Sequence, residues 1–151
     1  MKITELLNES SILLDINAVT KEAVWEQLAD TFHAANVITD KTAYLQAVAK
    51  REELGTTGVG FGVAIPHAKS GAVAKPAIGF ARINEGIDVA SLDETKADLF
   101  FLIAAPQAGD DIHLQALSRL ARMLMHESFL AELRSAQNKA DIFAAIRSRE
   151  A

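Results

Sequence analysis

Residues 51–67 read REELGTTGVGFGVAIPH, and this stretch decides how the chain is organised. Four of the eight glycines fall within residues 55–62, and such density favours positive φ and close backbone approaches. Most of this segment is therefore predicted to be a loop, with Gly55 ending the preceding helix. The strand that follows is expected to end or bulge at Pro66, because proline has no N–H for a central ladder. The side chain of His67 is thereby presented.

Two amphipathic helices are predicted before this loop. Apolar residues recur at three- and four-residue steps from Thr20 to about Val37, and Thr20 is suited to be the N-cap. A second helix is expected from about Lys41 to Leu54, with Asp40 as its cap.

The C-terminal half combines strands with helices. Strand-like runs occupy residues 63–68, 77–83 and 98–105, and the last is apolar enough to be a central strand covered on both faces. Helical periodicity follows from residue 112, with Asp111 as the predicted cap and a break at residues 126–128. Helices before and after the strands predict an α/β fold, a three-layer sandwich in which a mixed β-sheet is flanked by helices on both faces.

Composition excludes several classes of protein. A chain of 151 residues, 50% hydrophobic and 23% charged, is expected to form one domain over residues 1–151. The net charge is −5 and the basic residues are dispersed, so a nucleic-acid partner is not expected. The absence of cysteine excludes a disulfide framework and a cysteine nucleophile in this chain. No signal peptide or apolar run of about 18 residues is present, which predicts a cytoplasmic protein without direct membrane insertion.

The glycine-rich loop matches neither common nucleotide-binding template. A G-x-G-x-x-G/A fingerprint starting at Gly58 or at Gly60 meets Val63 or Ile65 at its last position, and the Gly-Lys-Ser/Thr end of a P-loop is missing. The loop amides could still cradle an anion immediately before His67. No metal-ligand spacing occurs, and no metal or cofactor is expected.

Three side chains carry the chemical hypothesis. His67 is a candidate nucleophile, since a neutral imidazole forms a phosphoramidate suited to onward transfer; the alternative is a strand-end histidine bonded to a carbonyl. Arg51 lies on the apolar stripe of the second helix, where its guanidinium needs an anion, either a phosphoryl group or a carboxylate such as Glu52 or Glu53. His113 falls in the first turn of a helix, where it could donate to a phosphoryl oxygen or simply pack in the core.

The 17-position pattern R-E-x-x-x-T-T-G-x-G-x-G-x-A-I-P-H, together with the runs DLFFLIAAP and DIHLQALSRLARML, resembles the IIA domain of the fructose–mannitol class of the bacterial phosphoenolpyruvate-dependent phosphotransferase system. The similarity covers nearly the whole chain, and the phrase GFGVAIPHAK is more similar to the fructose-specific branch. The resemblance implies a three-layer α/β fold. It also implies a phosphotransferase that forms a phosphohistidine.

The resemblance also implies partners and residue roles. His67 would accept a phosphoryl group on Nε2 from the histidine-containing phosphocarrier protein and give it to a cysteine of a IIB component, with a IIC membrane permease downstream. Arg51 would stabilise the phosphate and His113 would be the second active-site histidine. Thr56, Thr57, Gly58 and Gly60 are expected to form a phosphate-binding loop. Two alternatives stay open: a nitrogen-related regulatory IIA protein, and a non-catalytic effector-binding module that uses the glycine loop.

Overall fold

The computed structural model describes residues 2–108 and 111–150. Its helices are α1 (Ile3–Leu6), α2 (Lys21–Ala34), α3 (Lys41–Glu53), α4 (Ile112–Met123), α5 (Glu127–Ser135) and α6 (Lys139–Glu150). Its strands are β1 (Leu7–Ile16), β2 (Gly58–Gly60), β3 (Val63–Ala64), β4 (His67–Ser70), β5 (Ala77–Ile87) and β6 (Ala97–Pro106).

The six strands form one mixed sheet in the order β1-β5-β6-β3-β2, and β4 also pairs with β6. β1 runs parallel to β5, β3 and β4 run parallel to β6, and the β5–β6 and β2–β3 pairs are antiparallel. β6 is therefore the central strand, as its apolar sequence predicts.

Alternate residues of β6 supply two separate cores. Phe100 and Leu102 pack on one face of the sheet with residues of α2 and α3, such as Phe32 and Tyr44. Their neighbours Phe101 and Ile103 face the opposite side, where Leu120, Phe129 and Ile142 of the C-terminal helices cover them. Because successive strand residues point to opposite faces, one apolar strand satisfies both cores. The predicted three-layer α/β sandwich is confirmed.

The two predicted N-caps before the loop are confirmed. The Thr20 hydroxyl accepts a hydrogen bond from the amide of Ala23 at 3.1 Å, and the Asp40 carboxylate accepts one from the amide of Ala43 at 3.0 Å. These bonds satisfy amides that a helix N-terminus otherwise leaves unpaired.

Other local predictions need correction. The predicted strand at residues 63–68 is two short strands separated at Ile65 and Pro66, so the expected break at the proline is present. Asp111 precedes α4, but its side chain makes no capping bond to the part of that helix which the structure describes. The C-terminal break lies at residues 124–126 rather than 126–128, since α5 already begins at Glu127. Strand β1 was not predicted at all.

Candidate functional site

Three elements bring Arg51, His67 and His113 to one pocket of about 490 Å³. Arg51 lies in the last turn of α3, His67 is the first residue of β4, and His113 lies in the first turn of α4. All three residues were predicted from the sequence. Lys50 and Lys69 also line this pocket, which makes its surroundings positively charged.

The sheet positions the helix that carries Arg51. The Tyr44 hydroxyl, fully buried in α3, donates to the Ile103 carbonyl oxygen of β6 at 2.9 Å. Burial raises the pKa of Tyr44 well above its ordinary value, so the hydroxyl stays a donor. Ile103 is also the residue of β6 that pairs with His67, and its amide donates to the Pro66 carbonyl oxygen at 3.0 Å. One residue of β6 thus connects the arginine-bearing helix to the histidine-bearing strand.

The hydrogen bond of His67 decides which ring nitrogen can react. Nδ1 lies 2.9 Å from the carbonyl oxygen of Ile65. A carbonyl oxygen only accepts, so Nδ1 must carry the proton in this bond. In the neutral ring the lone pair is then on Nε2. The half-buried His67 side chain lines the pocket, and its bond to the Ile65 carbonyl oxygen does not occupy Nε2.

Burial lowers the pKa of His67 below its ordinary value of 6.5, because desolvation disfavours the imidazolium. The bond to Ile65 acts in the opposite direction, and the charge of Arg51 lowers the pKa further. The net direction favours the neutral, nucleophilic ring near pH 7.

Arg51 has no carboxylate partner within residues 2–108 and 111–150. Its Nη1 donates to the Gly55 carbonyl oxygen at 3.0 Å, just beyond the end of its own helix. This single bond leaves most of the guanidinium donors uncommitted within the described chain. An anion in the pocket is therefore a suitable partner for Arg51.

His113 lies in the first turn of α4 and is partly buried, while Leu117 and Leu120 of the same helix pack against the core on that side of the sheet. Its Nδ1 atom is buried and has no hydrogen-bond partner in the part of the chain that the structure describes. Buried polar atoms without partners are uncommon in folded proteins, and Nδ1 of His113 is one of them.

Glu52 organises the site, although sequence reasoning considered it only as a partner for Arg51. Its carboxylate accepts bonds from the Thr57 amide at 3.1 Å and from the Thr57 hydroxyl at 2.6 Å, and it pairs with Lys21 at 3.3 Å. The Thr57 carbonyl oxygen in turn accepts from the Ile65 amide at 2.9 Å. Ile65 is the residue whose carbonyl holds His67. A glutamate five residues before a threonine is the only sequence signal of this arrangement.

The predicted phosphate-binding loop does not reach the pocket: Thr56, Thr57, Gly58 and Gly60 are absent from its lining. Several of their polar groups are bonded within the chain. The Gly58 amide donates to the Thr56 hydroxyl at 2.9 Å, and that hydroxyl donates to the Val89 carbonyl oxygen.

Packing explains why these loop positions are glycines. A Cβ on Gly58 would collide with the side chains of Ser91 and Val89. Gly60 has a φ of +91°, which other residues rarely adopt, and a Cβ there would lie 2.8 Å from an oxygen of Asp93. The glycines therefore fit a tight turn beside the site.

The remaining histidines lie apart from this pocket. His33 and His126 are both exposed, and neither lines the pocket. No helix among the described residues is long and apolar enough to cross a membrane.

The chain belongs to the EIIA type 2 family of the phosphoenolpyruvate-dependent sugar phosphotransferase system, whose family model matches residues 5–149. The resemblance seen in the sequence is thus confirmed.

Two relatives carry fructose-specific names. The chain is 41% identical over 150 residues to the fructose-specific EIIABC component of Bacillus subtilis, covering 99% of this chain but only 24% of that protein. It is 47% identical over 128 residues to the fructose-specific EIIA component of Haloferax volcanii, covering 85% of this chain and 83% of that protein.

A solved structure gives a close fold match. The crystal structure of the nitrogen regulatory protein IIA-Ntr from Neisseria meningitidis superposes with a TM-score of 0.89 at 27% identity, covering 95% of this chain and 98% of that chain. Similarity therefore extends to both the fructose-specific and the nitrogen-regulatory branches of the family.

Proposed function

We propose that this chain is a phosphoryl carrier that accepts a phosphoryl group on Nε2 of His67 and passes it to a second protein. The observation that supports this most directly is the bond from Nδ1 to the Ile65 carbonyl oxygen, which leaves the Nε2 lone pair available beside Arg51 and His113. The donor is the histidine-containing phosphocarrier protein, and the acceptor is a cysteine thiolate of a IIB component for fructose-type sugar uptake, with a IIC permease downstream.

The chemistry balances without a cofactor. The Nε2 lone pair of His67 forms a new N–P bond while the P–N bond to the donor histidine breaks, and the bonding electrons return to the donor ring. In the second transfer the acceptor thiolate forms an S–P bond and the Nε2–P bond breaks. Phosphorylation of Nε2 gives the His67 ring a positive charge, which the Ile65 carbonyl oxygen stabilises through the retained Nδ1–H.

Arg51 and His113 assist in this scheme. The planar guanidinium of Arg51 can donate two parallel bonds to phosphoryl oxygens, and its charge compensates the charge that accumulates in the transition state. His113 is assigned as a hydrogen-bond donor to a phosphoryl oxygen.

The rim of the pocket is suited to a protein partner. Leu54 and Leu114 are 85% and 53% exposed, and Lys50 and Lys69 lie beside them. Exposed apolar side chains next to a positively charged cavity are typical of a surface that another protein covers.

Labelling with radioactive phosphoenolpyruvate and the two upstream phosphotransferase proteins tests the proposal. An acid-labile, alkali-stable label on the parent chain is expected, and His67→Gln should abolish it. His33→Gln is the matched control, because His33 is exposed and does not line the pocket; it should be labelled like the parent. Full labelling of His67→Gln would refute the assignment of the acceptor. An unlabelled parent would favour the non-catalytic effector-binding module.

The nitrogen-regulatory alternative is favoured by one observation, the fold match to IIA-Ntr. Both branches would label His67, so the acceptor must distinguish them. Transfer of the label from the phosphorylated chain to a fructose-type IIB component supports sugar uptake. Retention of the label in the presence of that component supports the regulatory role.

A further inference from the structure

A second basic cavity lies at the opposite end of α4 from the His67 pocket. It has a volume of about 210 Å³ and is lined by Arg119, Arg122 and Met123 of α4, by His126, and by residues of α1 and α6 that include Arg149. His113 and Arg122 are nine residues apart on α4, so at 1.5 Å per residue the two sites are separated by roughly 14 Å along the helix. None of the groups assigned to phosphoryl transfer takes part in this second cavity.

Positive charge is concentrated in this cavity, although the whole chain carries a net negative charge. Three guanidinium groups line it with one carboxylate, that of Glu150, in a protein of net charge −5. Both oxygens of Glu150 accept bonds from Thr4, one from the amide at 2.7 Å and one from the hydroxyl at 2.8 Å. Glu150 is therefore committed to tying α6 to α1. Within the described residues, Arg119 and Arg122 form no ion pair.

One of the arginines is held in place. Arg149 donates from Nη2 to the Ser128 hydroxyl at 2.7 Å, pairs with Glu132 at 3.4 Å, and stacks its guanidinium 5.7 Å from the centre of the Phe129 ring. A guanidinium fixed in this way loses little conformational entropy when it binds an anion.

The backbone beside the cavity adds uncapped donors. The His126 side chain, at the N-cap of α5, makes no capping hydrogen bond. Two carbonyl groups at the end of α4 are bonded in the turn, since the amides of Met125 and His126 donate to the carbonyl oxygens of Arg122 and Met123. Because His126 lines the cavity, the positive end of the α5 dipole lies beside it and favours an anion there.

We propose that this cavity binds a small phosphate-bearing anion, either inorganic phosphate or a low-molecular-weight phosphate monoester. Arg119, Arg122 and Arg149 supply charge-assisted donors, and Ile3 and Met123 form an apolar wall for the ester's carbon atoms. The cavity is smaller than the roughly 300–1,000 Å³ of pockets for drug-sized ligands, so the ligand is a small one.

Amide chemical shifts in ¹⁵N-labelled protein test this proposal. Inorganic phosphate and glycerol 3-phosphate are titrated separately at constant ionic strength into a His67→Ala, Arg51→Gln background, which removes the proposed phosphoryl acceptor and its neighbouring guanidinium from the other pocket. Saturable shifts of the amides of Arg122, Glu127 and Ser128 are expected. Equal affinity for both probes means that the cavity recognises the phosphate group alone. Tighter binding of glycerol 3-phosphate means that the apolar wall also contacts the carbon atoms of the ester. Both results support the proposal.

Arginine variants provide the control. Arg119→Gln and Arg122→Gln should each weaken binding about ten- to a hundredfold, the effect of losing a charge-assisted bond. Arg147→Gln removes the same charge from an exposed position of α6 outside the cavity lining and should leave the affinity unchanged. Shifts that do not saturate, shifts confined to residues around His113, or equal weakening by Arg147→Gln would overturn the proposal. Because no step needs phosphorylation of His67, failure here is separate from failure of the proposed carrier function.

Discussion

Replacing Glu52 by alanine should destabilise the fold and disorder the reactive ring together. The side chain of Glu52 is 7% exposed, and its carboxylate contacts both Lys21 and the amide and hydroxyl of Thr57. Through the Thr57 carbonyl and the Ile65 amide, this contact holds the backbone that bonds Nδ1 of His67. Glu52→Ala removes the Glu52–Thr57 contact but none of the atoms that form the Thr57–Ile65 and Ile65–His67 bonds.

The size of the effect follows from what is left unpaired. Thr57 is 6% exposed, so Glu52→Ala leaves its amide and hydroxyl largely without water or protein partners. An unsatisfied buried polar group costs about 1–3 kcal/mol, and two such groups with partial relaxation give about 2–4 kcal/mol. The Lys21 pair adds about 1 kcal/mol or less, because the lysine is partly exposed. The total is about 2–5 kcal/mol, so for a chain of this length the Tm should fall by roughly 4–20 °C.

Urea unfolding and histidine NMR measure the two consequences. The free energy of unfolding should fall by the amount above, and ¹⁵N shifts of the His67 ring should show a mixture of tautomers instead of Nδ1–H alone. Glu53→Ala is the matched control, because Glu53 is exposed in the same helical turn and should change stability by about 0.5 kcal/mol or less. Equal stability of the two variants, or an unchanged His67 tautomer in Glu52→Ala, would refute the reasoning.

Four further predictions concern the site and its support. Arg51→Lys keeps the charge but loses the bidentate geometry, so labelling from the phosphocarrier protein should slow roughly ten- to a hundredfold; parental rates would limit Arg51 to a structural role. The labelling rate of His67 should fall to half at a pH below 6.5, because the lowered pKa keeps the ring neutral down to that pH. Arg51→Gln removes a charge that lowers the pKa and should move this pH upward, whereas Arg51→Lys keeps the charge and should leave it in place. His113→Ala should slow transfer to the acceptor more than His113→Gln, because glutamine retains an N–H donor. If both variants transferred at the rate of the parent, His113 would serve only to pack the core. Arg82→Met should lower the free energy of unfolding by about 2–4 kcal/mol in urea titration, because the Arg82 guanidinium satisfies three carbonyl oxygens at the end of α5, and an unchanged midpoint would contradict this.

The lowered pKa of His67 also affects stability. Between the folded pKa and 6.5 the unfolded chain binds a proton that the folded chain does not. His67 therefore costs no stability above pH 6.5 and lowers it as the pH falls below that value. His67→Gln should remove this part of the acid sensitivity, which thermal unfolding at pH 5 and pH 7.5 would detect.

Much of the fold could be predicted because its signals are local. The caps at Thr20 and Asp40 are short-range patterns, and the apolar run of β6 identifies a strand with both faces covered. The position of His67 followed from the chemistry of the proline before it. In each case the decisive interaction lies within a few residues of the signal.

The misses depend on distant contacts. Strand β1 begins with Leu7 and then carries three exposed polar residues before Ser11, so its alternation is poor, and its pairing with β5 lies about 70 residues away along the chain. Glu52 could not be assigned to Thr57 without the loop's path. The glycine loop suggested an anion cradle because glycine density alone does not distinguish open amides from amides already bonded within a tight turn.

The partner of Nδ1 suits the proposed carrier role for an electrostatic reason. A carboxylate at this position would stabilise the imidazolium strongly, which would raise the pKa of His67 and reduce the neutral fraction that can attack phosphorus. It would also stabilise the positively charged phosphorylated ring and slow the departure of the phosphoryl group. The Ile65 carbonyl oxygen carries no formal charge, so it fixes the tautomer while perturbing both equilibria less. A ring oriented by a backbone carbonyl can therefore be phosphorylated by one partner and dephosphorylated by the next. It does not bind the phosphoryl group so tightly that transfer stops.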